Sequence, residues 1–113
     1  MLQRQPVKIR IARESDFAQW LPLWQGYQLF YKTEISDETT KTTWSRFHDA
    51  AEPLSCAVAE VDGRLVGLVH YIAHRSCWTV GDYVYLQDLF VNPTSRGQGV
   101  GRALIEHVYI AAK

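Results

Sequence analysis

Arg96, Gly97, Gly99 and Gly101 form the run R-G-Q-G-V-G, whose residue types suit it to gripping a ligand through backbone atoms. Glycines let successive N–H groups turn towards one point and leave no Cβ in the way of an approaching ligand. The residues from Gln98 onward read as a helix, whose first N–H groups are unpaired and whose N-terminus carries a positive partial charge. Loop and helix start together make a cradle for phosphate. Spacing excludes two known cradles. A Walker A loop requires G-x-x-x-x-G-K-[ST], and the lysine is missing. A dinucleotide fingerprint requires G-x-G-x-x-G, whereas these glycines are spaced two and two. A glycine-rich turn that binds nothing is the plain alternative.

The elements that must hold this loop follow from periodicity. Residues 6–11, PVKIRI, alternate apolar and basic as a short strand. Phe17, Trp20, Leu21, Trp24 and Tyr31 then fall on one helical stripe with Tyr27 beside it. This predicts a helix over 16–32, which Pro22 should kink or break. Ser36 suits an N-cap, with Asp37 and Glu38 at the positive end of a second helix over 37–52. Trp44, Phe47 and Ala51 form its buried face, and Pro53 closes it. Residues 54–61 and 64–75 are β-rich and flank Asp62-Gly63, a two-residue hairpin signal. A turn near 79–82 leads to a strand over 83–91, YVYLQDLFV; Asn92-Pro93 then turns the chain into loop 96–101 and a helix over 98–113. The order predicts a single α/β (α+β) domain with a central, mostly antiparallel sheet flanked by helices.

Composition narrows the classes. With 12 basic and 12 acidic residues the formal charge is zero, so no general attraction to nucleic acid or membrane is implied. No apolar run approaches the roughly 20 residues that span a bilayer, and MLQRQPVKIR lacks the apolar stretch of a signal peptide. A soluble cytoplasmic protein is the expectation. Residues 34–62 hold seven acids against Lys41 and Arg46, either a solvated helical face or a lure for a cationic amine. Cys56 and Cys77 lack metal-like spacing and read as two buried, reduced thiols. The four histidines show no metal-binding pattern, so no metal site is expected. His70 and His74 share a strand face; His74 is the one placed to reach a site, although structural or surface roles suit both.

Arg96-x-x-Gly99-x-Gly101 closely resembles motif A, [RQ]-x-x-G-x-[GA], of the GNAT superfamily of N-acetyltransferases, and the preceding V-N-P-T-S resembles that family's strand exit. The resemblance extends over nearly the whole chain. W-L-P-L-W-Q-G-Y and Y-L-Q-D-L-F-V look most like the branch of histone, polyamine and diamine acetyltransferases. It implies acetyl-CoA as cosubstrate and a primary amine as acceptor: a polyamine, a small amine or a protein lysine. Arg96, Gly97, Gln98, Gly99, Val100, Gly101 and Arg102 would hold the pyrophosphate. Leu89, Phe90 and Val91 would pair with the pantetheine arm, the backbone N–H of Leu89 polarising the thioester carbonyl. Direct attack in a ternary complex needs a neutral amine and hence a base. Gln87 and Asp88 stand where this branch carries Glu-Asp. Gln87 cannot usefully accept a proton, which leaves Asp88 either as the base or as a structural partner to a helix end. Strand alternation puts Gln87 and Asp88 on opposite faces, with Tyr85 on the face of Gln87. Trp24, Tyr27, Tyr31 and Tyr85 either line the acceptor pocket or simply belong to the core.

A complete domain of this kind continues after the motif A helix with further strands and a tyrosine that protonates the departing thiolate. The sequence ends on a helical pattern at Lys113, so the fold is expected to be truncated there. Three readings stand beside one another. They are the front part of an active enzyme, a CoA-binding or interaction module without turnover, and a chain that covers its open surface by homodimerising or by associating with a missing C-terminal segment.

Overall fold

Asp62 and Gly63 both take positive φ (55° and 79°), the backbone of a turn that matches strand twist. They join β2 (Leu54–Val61) to β3 (Arg64–His74) as an antiparallel hairpin. β1 (Lys8–Ile11) pairs with the other side of β2, and β4 (Tyr83–Val91) with the other side of β3. The result is one antiparallel sheet in the order β1-β2-β3-β4. The computed structural model describes residues 6–113. The reading of the chain's extreme start as free of a signal peptide therefore rests partly on residues outside the described ones.

Alternation along the strands gives the sheet two apolar faces, and helices cover both. Two helices, α1 (Phe17–Phe30) and α2 (Asp37–Phe47), pack on one face around Trp20, Trp24 and Trp44, against Cys56, Val58, Leu68 and Phe90. On the other face α3 (Val100–Ala111) lays Val100, Leu104 and Val108 over Ala57, Ala59 and Val69. Gly67 of β3 permits that approach. A Cβ there would stand 3.2 Å from side-chain atoms of Val100 and Leu104 and 3.1 Å from the Phe90 carbonyl oxygen.

Several boundaries differ from the expectations. Pro22 neither breaks α1 nor ends it. The carbonyl it deprives of a partner is that of Ala18, and both residues are exposed, so water can serve it. α2 begins as expected, the Ser36 hydroxyl accepting the Thr39 N–H at 3.1 Å. It ends at Phe47 rather than 52, because the Asp49 carboxylate captures the Ala51 N–H (2.9 Å) in a local turn. Ala51 is consequently exposed, and Cys77 is exposed rather than buried. Nor do the acids of 34–62 form one helical face: Glu60 lies on β2 and is bound by Arg10.

That arginine ties the start of α1 to the sheet. Arg10 donates to both oxygens of Asp16 (2.7 and 3.0 Å) and to Glu60 (2.9 Å), while the Arg13 N–H also donates to Asp16 (2.7 Å). The guanidinium above all, and then the Arg13 amide, hold the Asp16 carboxyl below the usual aspartate range despite its burial. Its contribution is thus complete above the ordinary aspartate pKa and is lost as pH falls through the depressed folded value. Asp16→Asn is expected to cost about 3 kcal/mol in urea denaturation near neutral pH, with the deficit shrinking in acid. A deficit independent of pH would contradict the assignment.

Candidate functional site

β4 delivers the chain into the glycine loop through a short, well-tied turn. The Asn92 side chain accepts the Thr94 N–H (3.1 Å) and starts a single 3-10 turn, Pro93–Ser95. Arg96 then folds back. Its Nε donates to the Val91 carbonyl oxygen (3.1 Å), and its guanidinium lies 5.6 Å from the centre of the Phe90 ring and 6.0 Å from that of Phe30. Gly97 and Gly99 have φ of 86° and 77°, values that favour glycine. The Gly99 carbonyl accepts the Ala103 N–H (3.0 Å), so the N–H groups of Val100, Gly101 and Arg102 lie ahead of the first intrahelical bond. A Cβ built at Gly97 or Gly99 meets nothing within 4 Å. The loop therefore presents free donors to open space at the positive end of α3.

That space is a cleft of about 450 Å³. Leu89, Phe90, Val91, Arg96, Gly97, Gly99, Val100, Gly101 and Arg102 line one side, and Tyr27, Phe30 and Tyr31 from the end of α1 line the other. Every residue assigned above to the pyrophosphate and the pantetheine arm borders it except Gln98, which is exposed. β4 is an edge strand among the described residues. The Asn92 N–H donates to Val66 of β3 (2.8 Å). Alternation then directs the Phe90 N–H towards β3 and those of Leu89 and Val91 towards the open edge.

A bulge interrupts β4 between the cleft and its first half. His70 pairs with Asp88, but Tyr71 pairs with Leu86, leaving Gln87 as an extra residue. The facing of the strand reverses across it. Val84 and Leu86 pack on the α3 side, and so do Leu89 and Val91, while Phe90 joins the α1–α2 core. Gln87 and Asp88 consequently do not face opposite sides as simple alternation requires. Both border a second pocket, of about 270 Å³, with Trp24, Tyr27, Ile35, Thr43, Phe47, His70 and Tyr71 among its walls.

Asp88 is buried in that wall, and its Oδ2 lies 2.9 Å from Nδ1 of His70. His70 Nε2 in turn accepts the indole N–H of Trp20 at 3.1 Å. Tyr27 borders both cavities. Burial first, and then the neighbouring Asp88 carboxylate, raise its pKa well above the phenolic range, so it stays a neutral donor. Of the other aromatic candidates, Trp24 lines only the second pocket, Tyr31 only the first cleft, and Tyr85 neither; Tyr85 is exposed on β4. His74 is exposed at the end of β3, bonded to the Arg75 carbonyl, and it is His70 that borders the second pocket. Phe30 was not singled out, although it stands three residues beyond Tyr27 on the same helix. Trp20 and His70 were read as core or surface; the signal for them was a polar residue within the buried run L-V-H-Y of β3.

A strand, a glycine loop and a helix N-terminus thus border one open cleft. The model of the acetyltransferase (GNAT) family matches residues 17–113. A D-amino-acid N-acetyltransferase of Saccharomyces cerevisiae is 38% identical over 108 residues, covering 94% of this chain and 67% of that protein. A thialysine N-epsilon-acetyltransferase of Mus musculus is 35% identical over 112 residues, covering 89% and 64%. Among solved structures, an aminoglycoside N-acetyltransferase in complex with CoA superposes with a TM-score of 0.80 at 19% identity, covering 98% of this chain and 72% of that one. The chain belongs to the GNAT acetyltransferase family, and it spans about two thirds of the length of these curated relatives.

Deleting Gln87 closes the ladder and leaves Leu86, Leu89 and Val91 on the α3 side and Asp88 and Phe90 on the other. We expect this variant to unfold cooperatively in urea within about 2 kcal/mol of the parent chain. Loss of the cooperative transition would show that the extra residue itself is required by the fold.

Proposed function

We propose that the chain is the acetyl-CoA-binding part of an N-acetyltransferase acting on a small primary amine. The observation that carries this reading is the row of N–H groups of the loop and α3 without partners among the described residues, opening onto a cleft that continues along the edge of β4. Backbone donors from Gly97 to Arg102 suit a pyrophosphate, and the guanidinium of Arg96 adds positive charge beside them. Acetyl-CoA supplies the activated acetyl thioester. The Leu89 N–H faces the open edge, which suits donation to an oxygen where negative charge develops. The amides at Leu89 and Val91 suit an extended, amide-bearing arm laid along the strand.

The second pocket suits the acceptor. Its walls are mostly apolar and aromatic with one carboxylate, Asp88, and its volume of about 270 Å³ matches a small amine. The relatives named above act, by their names, on a D-amino acid and on thialysine, both of which offer an amino group. An ammonium entering the pocket would give its proton to Asp88, directly or through water. The neutral amine would then attack the thioester carbonyl, forming the C–N bond as the C–S bond breaks, and the nitrogen's surplus proton would pass to the departing CoA thiolate. A CoA-binding module without turnover is the second reading, favoured by an amide, Gln87, where the related branch carries a carboxylate.

Two variants test the proposal. Gly99→Val leaves the protein core untouched but imposes a side chain at positive φ in the cleft. Calorimetric titration with acetyl-CoA should show affinity reduced at least about tenfold, equivalent to about 1.4 kcal/mol; unchanged affinity defeats the loop assignment. Asp88→Asn keeps an oxygen for the His70 N–H but removes the base. Turnover with acetyl-CoA and a panel of putrescine, lysine and D-amino acids should fall about 10²–10⁴-fold, with acetyl-CoA affinity unchanged. Full turnover by this variant gives Asp88 a structural role, and acetyl-CoA binding without any turnover by the parent chain favours the second reading.

A further inference from the structure

His70 lies in the middle of β3, 3% exposed, in register with Cys56 of β2 on one side and Asp88 of β4 on the other. From the helices, Trp20, Trp24 and Phe47 close over its ring, with centroids 5.8, 4.9 and 4.7 Å away. Both ring nitrogens are engaged, by Trp20 at Nε2 and by Asp88 at Nδ1. An indole N–H donates and never accepts. Nε2 must therefore be the lone-pair nitrogen, and the single proton of the neutral ring sits on Nδ1, aimed at the carboxylate. A second proton, on Nε2, would point at the indole N–H inside a layer of aromatic rings. Among the described residues, the titratable side chains that neighbouring elements bring to the ring and its pocket are Asp88 on β4, Cys56 on β2 and Tyr27 on α1, with Tyr71 on β3 itself; α2 presents Thr43 and Phe47.

We infer that Trp20 and His70 are positioning residues for Asp88: the indole fixes the imidazole as its Nδ1–H tautomer, and the imidazole holds one carboxylate oxygen so that the other serves the acceptor pocket. The inference rests on the proposal that Asp88 is the base, and it adds a direction to the proton's path. Donation runs one way, from Trp20 to His70 to Asp88. When Asp88 takes a proton from an ammonium, its carboxylate becomes a carboxylic acid and the amine becomes neutral. With Nε2 occupied, His70 has no free site to receive that proton and pass it inward. The proton must leave Asp88 on the pocket side. This differs from a relay in which the histidine itself carries the proton.

The tautomer is measurable on the intact chain without any turnover. Two-bond ¹H–¹⁵N spectra of the imidazoles at neutral pH should show His70 with the Nδ1–H pattern. The Nε2–H pattern, or a doubly protonated ring, overturns the inference. In Trp20→Phe, with circular dichroism and a cooperative melt confirming folding, the fixed pattern should give way to mixed tautomers. Persistence of the pattern there removes Trp20 from the device. Turnover supplies the second arm. His70→Gln retains an N–H donor and a carbonyl acceptor, so kcat should stay within about threefold of the parent, whereas His70→Leu should lose at least about tenfold in kcat with acetyl-CoA affinity unchanged. Equal loss in both variants overturns the positioning role. Full turnover by Asp88→Asn would instead defeat the assignment of the base while leaving the tautomer result standing, so the two failures are distinguishable.

Discussion

One unpaired residue in β4 decides what this surface can do. Were Gln87 an ordinary paired residue of the ladder, Asp88 and Phe90 would continue the facing of Val84 and Leu86 and lie against α3. The bulge turns them towards α1 and α2, where Asp88 meets His70 and Phe90 meets the aromatic core. Leu89 and Val91 meanwhile keep the α3 face filled. A bulge costs a local ladder interaction and is tolerated where the flanking strand halves are both well packed. Here each half has its own apolar partners, which fixes the break to a single place.

The aromatic layer above the sheet makes that arrangement rigid. Trp20 and Trp44 rings lie 4.6 Å apart between centroids, and Trp20 and Trp24 stack at 5.9 Å. Large rings packed this closely leave few alternative rotamers. The polar chain through His70 is therefore held by surfaces that do not themselves take part in chemistry. The glycine loop is built differently. It draws its shape from Arg96 and from the turn at Asn92, and its donors belong to the backbone.

Much of this was legible in the amino-acid order, because it follows from local rules. Asp62-Gly63 declared its hairpin, Ser36 its cap, and R-G-Q-G-V-G its strand-to-helix turn, each through residue types with few conformational choices. The failures share a cause. Neither glycine nor proline marks the bulge, so strict alternation separated Gln87 from Asp88 and directed attention to Tyr85. His74 looked as available as His70 because a period of two cannot tell the covered middle of a strand from its exposed end. Pro22 and the end of α2 were misjudged because exposure of Ala18 and a side chain–backbone bond from Asp49 settle them, and both depend on tertiary placement.

The outward amides of β4 carry a further consequence. An edge row of backbone donors and acceptors is a template that accepts any extended segment of suitable register. The strand of another molecule can add there by the same geometry as a ligand's amide-bearing arm. On the proposed reading, a ligand's arm laid along β4 and an added strand would draw on a single line of hydrogen-bonding groups and would exclude one another.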